Sequence, residues 1–327
     1  MLAWQTSVLV SGILPSIGPT GLIGIKPTRD RLTCVNGTTS KREIRVPFEQ
    51  WSNDMSLASV MVYVDPEQQD EGQIAVAEAV ANGFGAALLG VSAIATDPPF
   101  VAEGVIIEQT TADDLERMRA TLSAKEAWFR RIVRLPSDKV EWRWRIGFPT
   151  EFLVEQSRAA DLVVVRRSRP KTKSSHYLDA PGAMLRLGRP ILSVPDGVTR
   201  LSGDRIVVGW KDSREARLAV RDALPLLTRA SEVTITEVCT SSEQDAARDR
   251  LRDVAGYLGR HGVSCRHEVR VHTAEPDAGY LVRLAADVGA DLIVTGGYGH
   301  SRLGEWVFGG MTQSLLQDAP VCLLMSH

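Results

Sequence analysis

Two short stretches of this chain recur at one fixed offset, and that repeat limits the fold more than any other feature. Ala160-Asp161-Leu162-Val163-Val164 returns as Ala290-Asp291-Leu292-Ile293-Val294, and Arg189-Pro190-Ile191-Leu192 returns as Ala319-Pro320-Val321-Cys322. The offset is 130 residues in both cases, so no net insertion separates the two motifs in either copy. A shared order of elements around them makes the chain a duplication of one structural unit. At 327 residues it also has the length expected of two domains.

The second copy is the easier to read. Ile206-Val207-Val208-Gly209-Trp210 is a continuous apolar strand, and Asp212 followed by Glu215 has the spacing of a capping box. Ala216, Ala219, Val220, Ala223 and Leu227 mark one helical face, with Pro225 set to kink or end it. Val233 to Val238 is a second strand and Cys265 to Val271 a third. Ala247, Leu251, Val254 and Leu258 mark a helix between them. A further helix carries Ala278, Leu281, Val282, Ala285 and Val288 and stops at Gly289. Leu292-Ile293-Val294 is the fourth strand; a glycine-rich stretch, a short helix near Thr312 to Gln317 and the strand Val321 to Met325 complete the copy.

The first copy follows the same plan. Strands are predicted near Val60–Val64, Ala87–Val91, Val140–Trp144, Leu162–Val165 and Ile191–Val194, and helices near Ile74–Phe84, Leu115–Ile132 and Glu151–Gln156. Apolar strands alternating with helices specify a parallel sheet covered on both faces. The predicted organisation is an irregular extension over residues 1–54 and two α/β domains over 55–197 and 203–327. Asp196 to Gly203, polar and rich in turn formers, is the linker.

Composition excludes several classes. A formal net charge of −2 gives no general attraction to nucleic acid or to an anionic membrane. No run of about 18 apolar residues occurs, and the mildly apolar stretch from Ser7 to Ile25 is broken by Pro15 and Pro19. Cys34, Cys239, Cys265 and Cys322 form no C-x-x-C pair and have no second ligand at zinc spacing; they read as free thiols of a reducing compartment, here the cytoplasm. His261, His267 and His272 lack metal spacing on one helix, so no metal site is identified. Trp128, Trp142 and Trp144 fall in periodic segments and read as core.

Chemistry concentrates after the fourth strand of the second copy. Gly296-Gly297-Tyr298-Gly299 is followed, after nine residues, by Gly309-Gly310. Glycines allow close approach of backbone to a ligand, and main-chain amides ahead of a helix N-terminus attract anions. At the same offset the first copy has Arg166, Arg169 and Asp179 in place of Gly296, Gly299 and Gly309. Arg166, Arg167, Arg169, Lys171 and Lys173 read as a solvated basic loop, with docking of an acidic partner as the other reading.

Gly296-x-x-Gly299 and Gly309, with Trp210-Lys211-Asp212-Ser213, Asp291-Leu292-Ile293-Val294-Thr295-Gly296 and Ala319-Pro320-Val321, resemble the nucleotide motif and flanking strands of the universal stress protein family. The resemblance covers about 270 residues. It implies two tandem doubly wound parallel-sheet domains of strand order 3-2-1-4-5. The fifth strands would pair between domains, or between chains in a homodimer. It also implies ATP or AMP bound by the second domain through Gly296, Gly299, Gly309, Gly310, Lys211, Val238 and Arg302. Gly310 stands where the family usually has a phosphate-binding hydroxyl, and Lys211 precedes the acidic residue usual after strand one. The implied role is a stress-response protein acting by binding, with adenine nucleotide as partner. A ligand-free interaction module and a nucleotide hydrolase are the alternatives. Hydrolysis needs a positioned base and usually a metal carboxylate, and no catalytic residue is identified.

If residues 1–54 lie outside both domains, removing them leaves the melting temperature within about 5 °C of the full chain. A larger drop, of order 1 kcal/mol or more, would place them against the core.

Overall fold

The computed structural model of the chain describes residues 25–28, 31–34, 42–44, 56–68, 71–97, 100–102, 105–107, 110–167, 176–272, 276–297 and 310–327. Residues Met1–Asp54 and Met55–His327 form two compact units. The first contains a small antiparallel sheet in the order β1 (Ile25–Thr28), β2 (Arg31–Cys34), β3 (Arg42–Ile44). It corrects the expectation of a wholly irregular extension. Strands of three or four residues are too short for a period to register in sequence.

The second unit begins with β4 (Ser59–Tyr63), α1 (Glu71–Phe84), β5 (Ala87–Ile94) and a hairpin of β6 (Phe100–Ala102) and β7 (Val105–Ile107). It continues with α2 (Ala112–Ile132), β8 (Val140–Ile146), α3 (Pro149–Gln156), β9 (Leu162–Arg167), α4 (Ala180–Leu187) and β10 (Ile191–Pro195). The second copy runs β11 (Arg205–Trp210), α5 (Arg214–Leu227), β12 (Glu232–Cys239), α6 (Gln244–Arg260), β13 (Cys265–Val271), α7 (Asp277–Val288), β14 (Leu292–Gly296), α8 (Gly310–Asp318) and β15 (Cys322–Ser326). Pro225 lies inside α5, which ends two residues later at Leu227. The hairpin and α4 were not expected from the periodicity.

Ten strands form one sheet in the order β13-β12-β11-β14-β15-β10-β9-β4-β5-β8. Each half is therefore 3-2-1-4-5, and the two meet at their fifth strands. Every neighbouring pair is parallel except β10 and β15, which run antiparallel with Ile191 opposite Met325, Leu192 opposite Leu324 and Ser193 opposite Leu323. Both fifth strands are bonded on both sides, so the free edges of the sheet are β8 and β13. Helices α1, α2, α5 and α6 cover one face and α3, α4, α7 and α8 the other, each over a continuous apolar core.

The repeated aspartate has a repeated task. Asp161 accepts hydrogen bonds from the amides of Ala58 (2.8 Å) and Ser59 (3.0 Å), and Asp291 accepts them from Ser202 and Gly203. Each carboxylate ties the start of strand one to the start of strand four in its own half.

Arg167 does not belong to a solvated basic loop. It ends β9 and crosses to the other half, donating to the carbonyls of Ala319 and Val321 (3.0 Å), and to Ser193 O (3.2 Å) and Oγ (3.3 Å). Burial pulls its pKa down to about 10, which leaves it charged at neutral pH. On the α1 and α5 side, Arg229 donates to Gly83 O (2.6 Å) and lies over the Phe84 ring at 3.7 Å. Arg166 pairs with Asp196 (2.7 Å) and Gln68, while Arg169, Lys171 and Lys173 lie outside the described residues.

Replacing Arg167 with alanine strands several carbonyls away from water, at about 1–3 kcal/mol each. We expect a loss of about 2–4 kcal/mol in urea unfolding. Leu192→Glu, at a position with no exposure, is expected to cost more, because it buries an unpaired carboxylate. If both variants unfold like the parent chain, the junction is not a source of stability.

Candidate functional site

In an open parallel sheet a ligand crevice forms at the carboxyl ends of two neighbouring strands whose connections leave to opposite faces. β11 and β14 are such a pair: β11 leads to α5 on one face, and β14 is followed by α8 on the other. β4 and β9 repeat the arrangement with α1 and α4. Because β10 and β15 are antiparallel, the strands of the two halves run in opposite directions. The two crevices thus open at opposite ends of the sheet.

In the second half, Thr236, Gly209 and Thr295 pair side by side across β12, β11 and β14. Two residues further along each strand lie Val238, Lys211 and Gly297, so the strand ends bring Val238 and Lys211 to the crevice beside Gly296 and Gly297. Val238 is half-buried and Lys211 is exposed. Gly296 has a structural reason: a Cβ there would lie 2.7 Å from Ala216 N and 2.8 Å from the Glu215 carbonyl carbon. Its missing side chain lets the first turn of α5 close on the strand. A Cβ at Gly297 would meet the Met184 sulfur at 2.7 Å, across the junction between the halves. Gly310, the first residue of α8, has no described residue within 4 Å of where a Cβ would stand.

Asp212 does not cap α5. It pairs with Arg217 at 2.6 Å, and the cap is Ser213, whose hydroxyl accepts from Ala216 N at 3.2 Å. Serine at the cap is the common choice, and the aspartate one residue earlier is free to meet the next turn. Gly299, Arg302 and Gly309, with His300 and Ser301, lie outside the described residues.

The pairing registers match the first half to the second. Val60 pairs with Leu162 and Leu88, as Ile206 pairs with Leu292 and Val233. Tyr63 therefore stands at the level of Gly209, Asp65 at that of Lys211, and Ala93 at that of Val238. The charge that follows strand one is inverted between the copies. The first crevice holds a cavity of about 350 Å³ lined by Tyr63, Asp65, Glu67, Ala93, Asp97 and His176, among others. Asp97 pairs with His176 at 3.1 Å.

Asp179, the counterpart of Gly309, is the N-cap of α4, its carboxylate accepting from Gly182 N at 3.1 Å. The first half thus supplies its last helix with a negative charge of its own. That role was missed in the sequence, where Asp179-x-x-Gly182 just before an apolar run was its signal. A second cavity, of about 510 Å³, lies between α5 and α6, over Trp210 and Tyr257 and beside Arg214, Arg217 and Arg221.

Cys239 and Cys322 are buried and Cys265 is half-buried, and burial pushes all three thiols up, Cys322 to about 12. Trp128 is in the core and Trp142 packs on Phe129 at 5.0 Å between ring centres. Trp144, in contrast, is 41% exposed on the edge strand β8, a correction to its expected core place. Among the described residues no group of three or more His, Cys, Asp or Glu could hold a metal ion. No helix among them is long and apolar enough to cross a membrane.

Residues 203–327 match the model of the universal stress protein family. A solved universal stress protein from Archaeoglobus fulgidus superposes with a TM-score of 0.62 at 13% identity, over 81% of this chain and 94% of its own. A functionally unknown protein from Pseudomonas aeruginosa superposes at 0.52 and 14% identity, over 82% of this chain and 92% of its own. No curated protein matches the chain.

Gly296→Ala must push backbone rather than a flexible side chain, so we expect a stability loss of about 1–3 kcal/mol with or without ligand. Gly310→Ser meets no atom of the described residues and is expected to leave unfolding unchanged. Equal tolerance of both changes in a thermal melt would remove the structural reason for Gly296.

Proposed function

Because residues 203–327 match the model of the universal stress protein family, we propose that this chain is a tandem stress-response protein that acts by binding one adenine nucleotide. Its domains would be 55–197 and 203–327, with the nucleotide held by the second. The observation that supports this most is the contrast between the two last helices. Asp179 occupies the N-terminus of α4 with a carboxylate, whereas α8 starts at Gly310, beside which no described residue comes within 4 Å of a Cβ position, and the sequence has glycine before it. A helix N-terminus carries partial positive charge and unpaired amides. In α4 that demand is met by Asp179; at α8, in this reading, a phosphate meets it.

In this reading, main-chain amides at Gly296, Gly299, Gly309 and Gly310 approach the phosphates, and Lys211 and Arg302 supply charge. Val238 packs against the base. Gly310 forgoes a hydroxyl donor, worth about 0.5–1.5 kcal/mol. ATP or AMP serves as a bound ligand rather than a substrate, since none of these residues is a general base or a nucleophile.

Mass spectrometry of small molecules released from denatured protein, followed by calorimetric titration with ATP, tests the proposal. One site per chain is expected, lost in Gly299→Val/Gly309→Val and tightened by up to about tenfold in Gly310→Ser, equivalent to 1.4 kcal/mol. Two sites per chain would sink the asymmetry. No binding at about millimolar ATP would leave a ligand-free interaction module as the better account.

A further inference from the structure

Both fifth strands are paired within the chain, so two chains can associate through a sheet only at another strand. β8 is the outer strand of the first half. All seven of its residues pair with β5 on one side, and no described strand pairs with it on the other. Just past its end, Gly147 N donates to Ile94 O at 2.7 Å. Backbone groups point to alternate sides along a strand, so Arg145, Arg143 and Glu141 direct theirs toward β5. Trp142, Trp144 and Ile146 direct theirs outward, the open row that invites another strand.

The side chains select what that row accepts. Trp144 is 41% exposed, on the face where Trp142 packs against Phe129. The other free edge, β13, has no such exposed large apolar side chain among the described residues. Glu141 and Arg143 lie on the opposite face of β8, two residues apart and paired at 2.9 Å. Opposite charges in this spacing are complementary to themselves. When a second copy of β8 runs antiparallel with Trp142 opposite Trp142, Glu141 of each copy faces Arg143 of the other, and Trp144 faces Val140. In this register the outward groups of Trp142 fall in a hydrogen-bonded pair. Glu141 and Arg143 fall in non-hydrogen-bonded pairs, where facing side chains are closest. The like pair, Lys139 with Arg145, is tied down within its own chain, Arg145 to Glu155 (2.6 and 2.9 Å) and Lys139 to Gly85 O (2.8 Å).

We propose that two chains associate through β8, antiparallel about Trp142, joining their ten-stranded sheets into one. A foreign strand meets the charges of this edge as an obstacle; a second copy meets them as partners. Trp144 loses its exposure in the same step. The assignment does not rest on nucleotide binding.

Sedimentation velocity of the full chain, from about 1 to about 200 μM, tests it, with a concentration-dependent dimer expected. Glu141→Arg and Arg143→Glu each set like charges opposite one another in both facing pairs, and each is expected to weaken the dimer at least about tenfold. An equimolar mixture of the two variants is expected to restore it, because every arginine of one chain then faces a glutamate of the other. Misfolded variants would not rescue each other, and melting curves check the fold of each alone. Trp144→Lys, at an exposed position, is expected to weaken the dimer without lowering the melting temperature of the monomer. A chain still monomeric at about 200 μM, a dimer indifferent to the single variants, or a mixture no stronger than its components would each overturn the assignment.

Discussion

Three antiparallel residue pairs hold the molecule together: Ile191 with Met325, Leu192 with Leu324, and Ser193 with Leu323. Without them each half would end in a bare apolar strand with unpaired amides and carbonyls on one side, the condition that leads to aggregation. With them, two five-stranded sheets become one of ten. Arg167 reinforces the same seam by reading carbonyls 152 and 154 residues away in sequence. Guanidinium suits this task because its fixed fork of donors meets several oxygens at once. The free edges at β8 and β13 are guarded differently. Glu141, Arg143 and Arg145 on β8, and Arg266, Glu268 and Arg270 on β13, place charges where another strand would have to dock.

The antiparallel seam also decides where chemistry can occur. A parallel seam would have put both crevices on one rim, where residues of both halves could meet over one ligand. Here the direction reverses at β10 and β15, so the strand ends that frame each crevice come from its own half. The few contacts that cross between halves, at Arg167, Arg229 and Gly297 beside Met184, serve packing.

Much of the fold was legible in the sequence because its signals are local. Continuous apolar runs marked the strands, Gly289 ends α7 with a positive φ of 67°, and the repeated Asp161 and Asp291 announced the duplication. What stayed hidden depends on residues distant in sequence. Nothing near Arg167 reveals that Ala319 and Val321 will come within its reach, so it read as one more basic residue of a loop. Trp144 read as core because alternation along β8 is visible, whereas its position at the edge of the sheet is not. At the candidate site, Gly296 was legible as a glycine that matters. The cause lies in the closeness of Glu215 and Ala216, which only the packing of α5 reveals.

The formal charge of −2 conceals a further feature of the duplication. The crevices differ in sign at the same structural level, Asp65 against Lys211, and again at the last helix, Asp179 against Gly309. These differences would cancel if the crevices were close. A strand of six residues such as β11 spans about 20 Å at 3.3 Å per residue, and exposed charges are screened over about 8 Å at physiological ionic strength. Charges at opposite ends of the sheet therefore act almost independently. Each copy could change the charge of its own crevice without altering the other, while the buried strands and the seam, which carry no such freedom, kept the repeat recognisable.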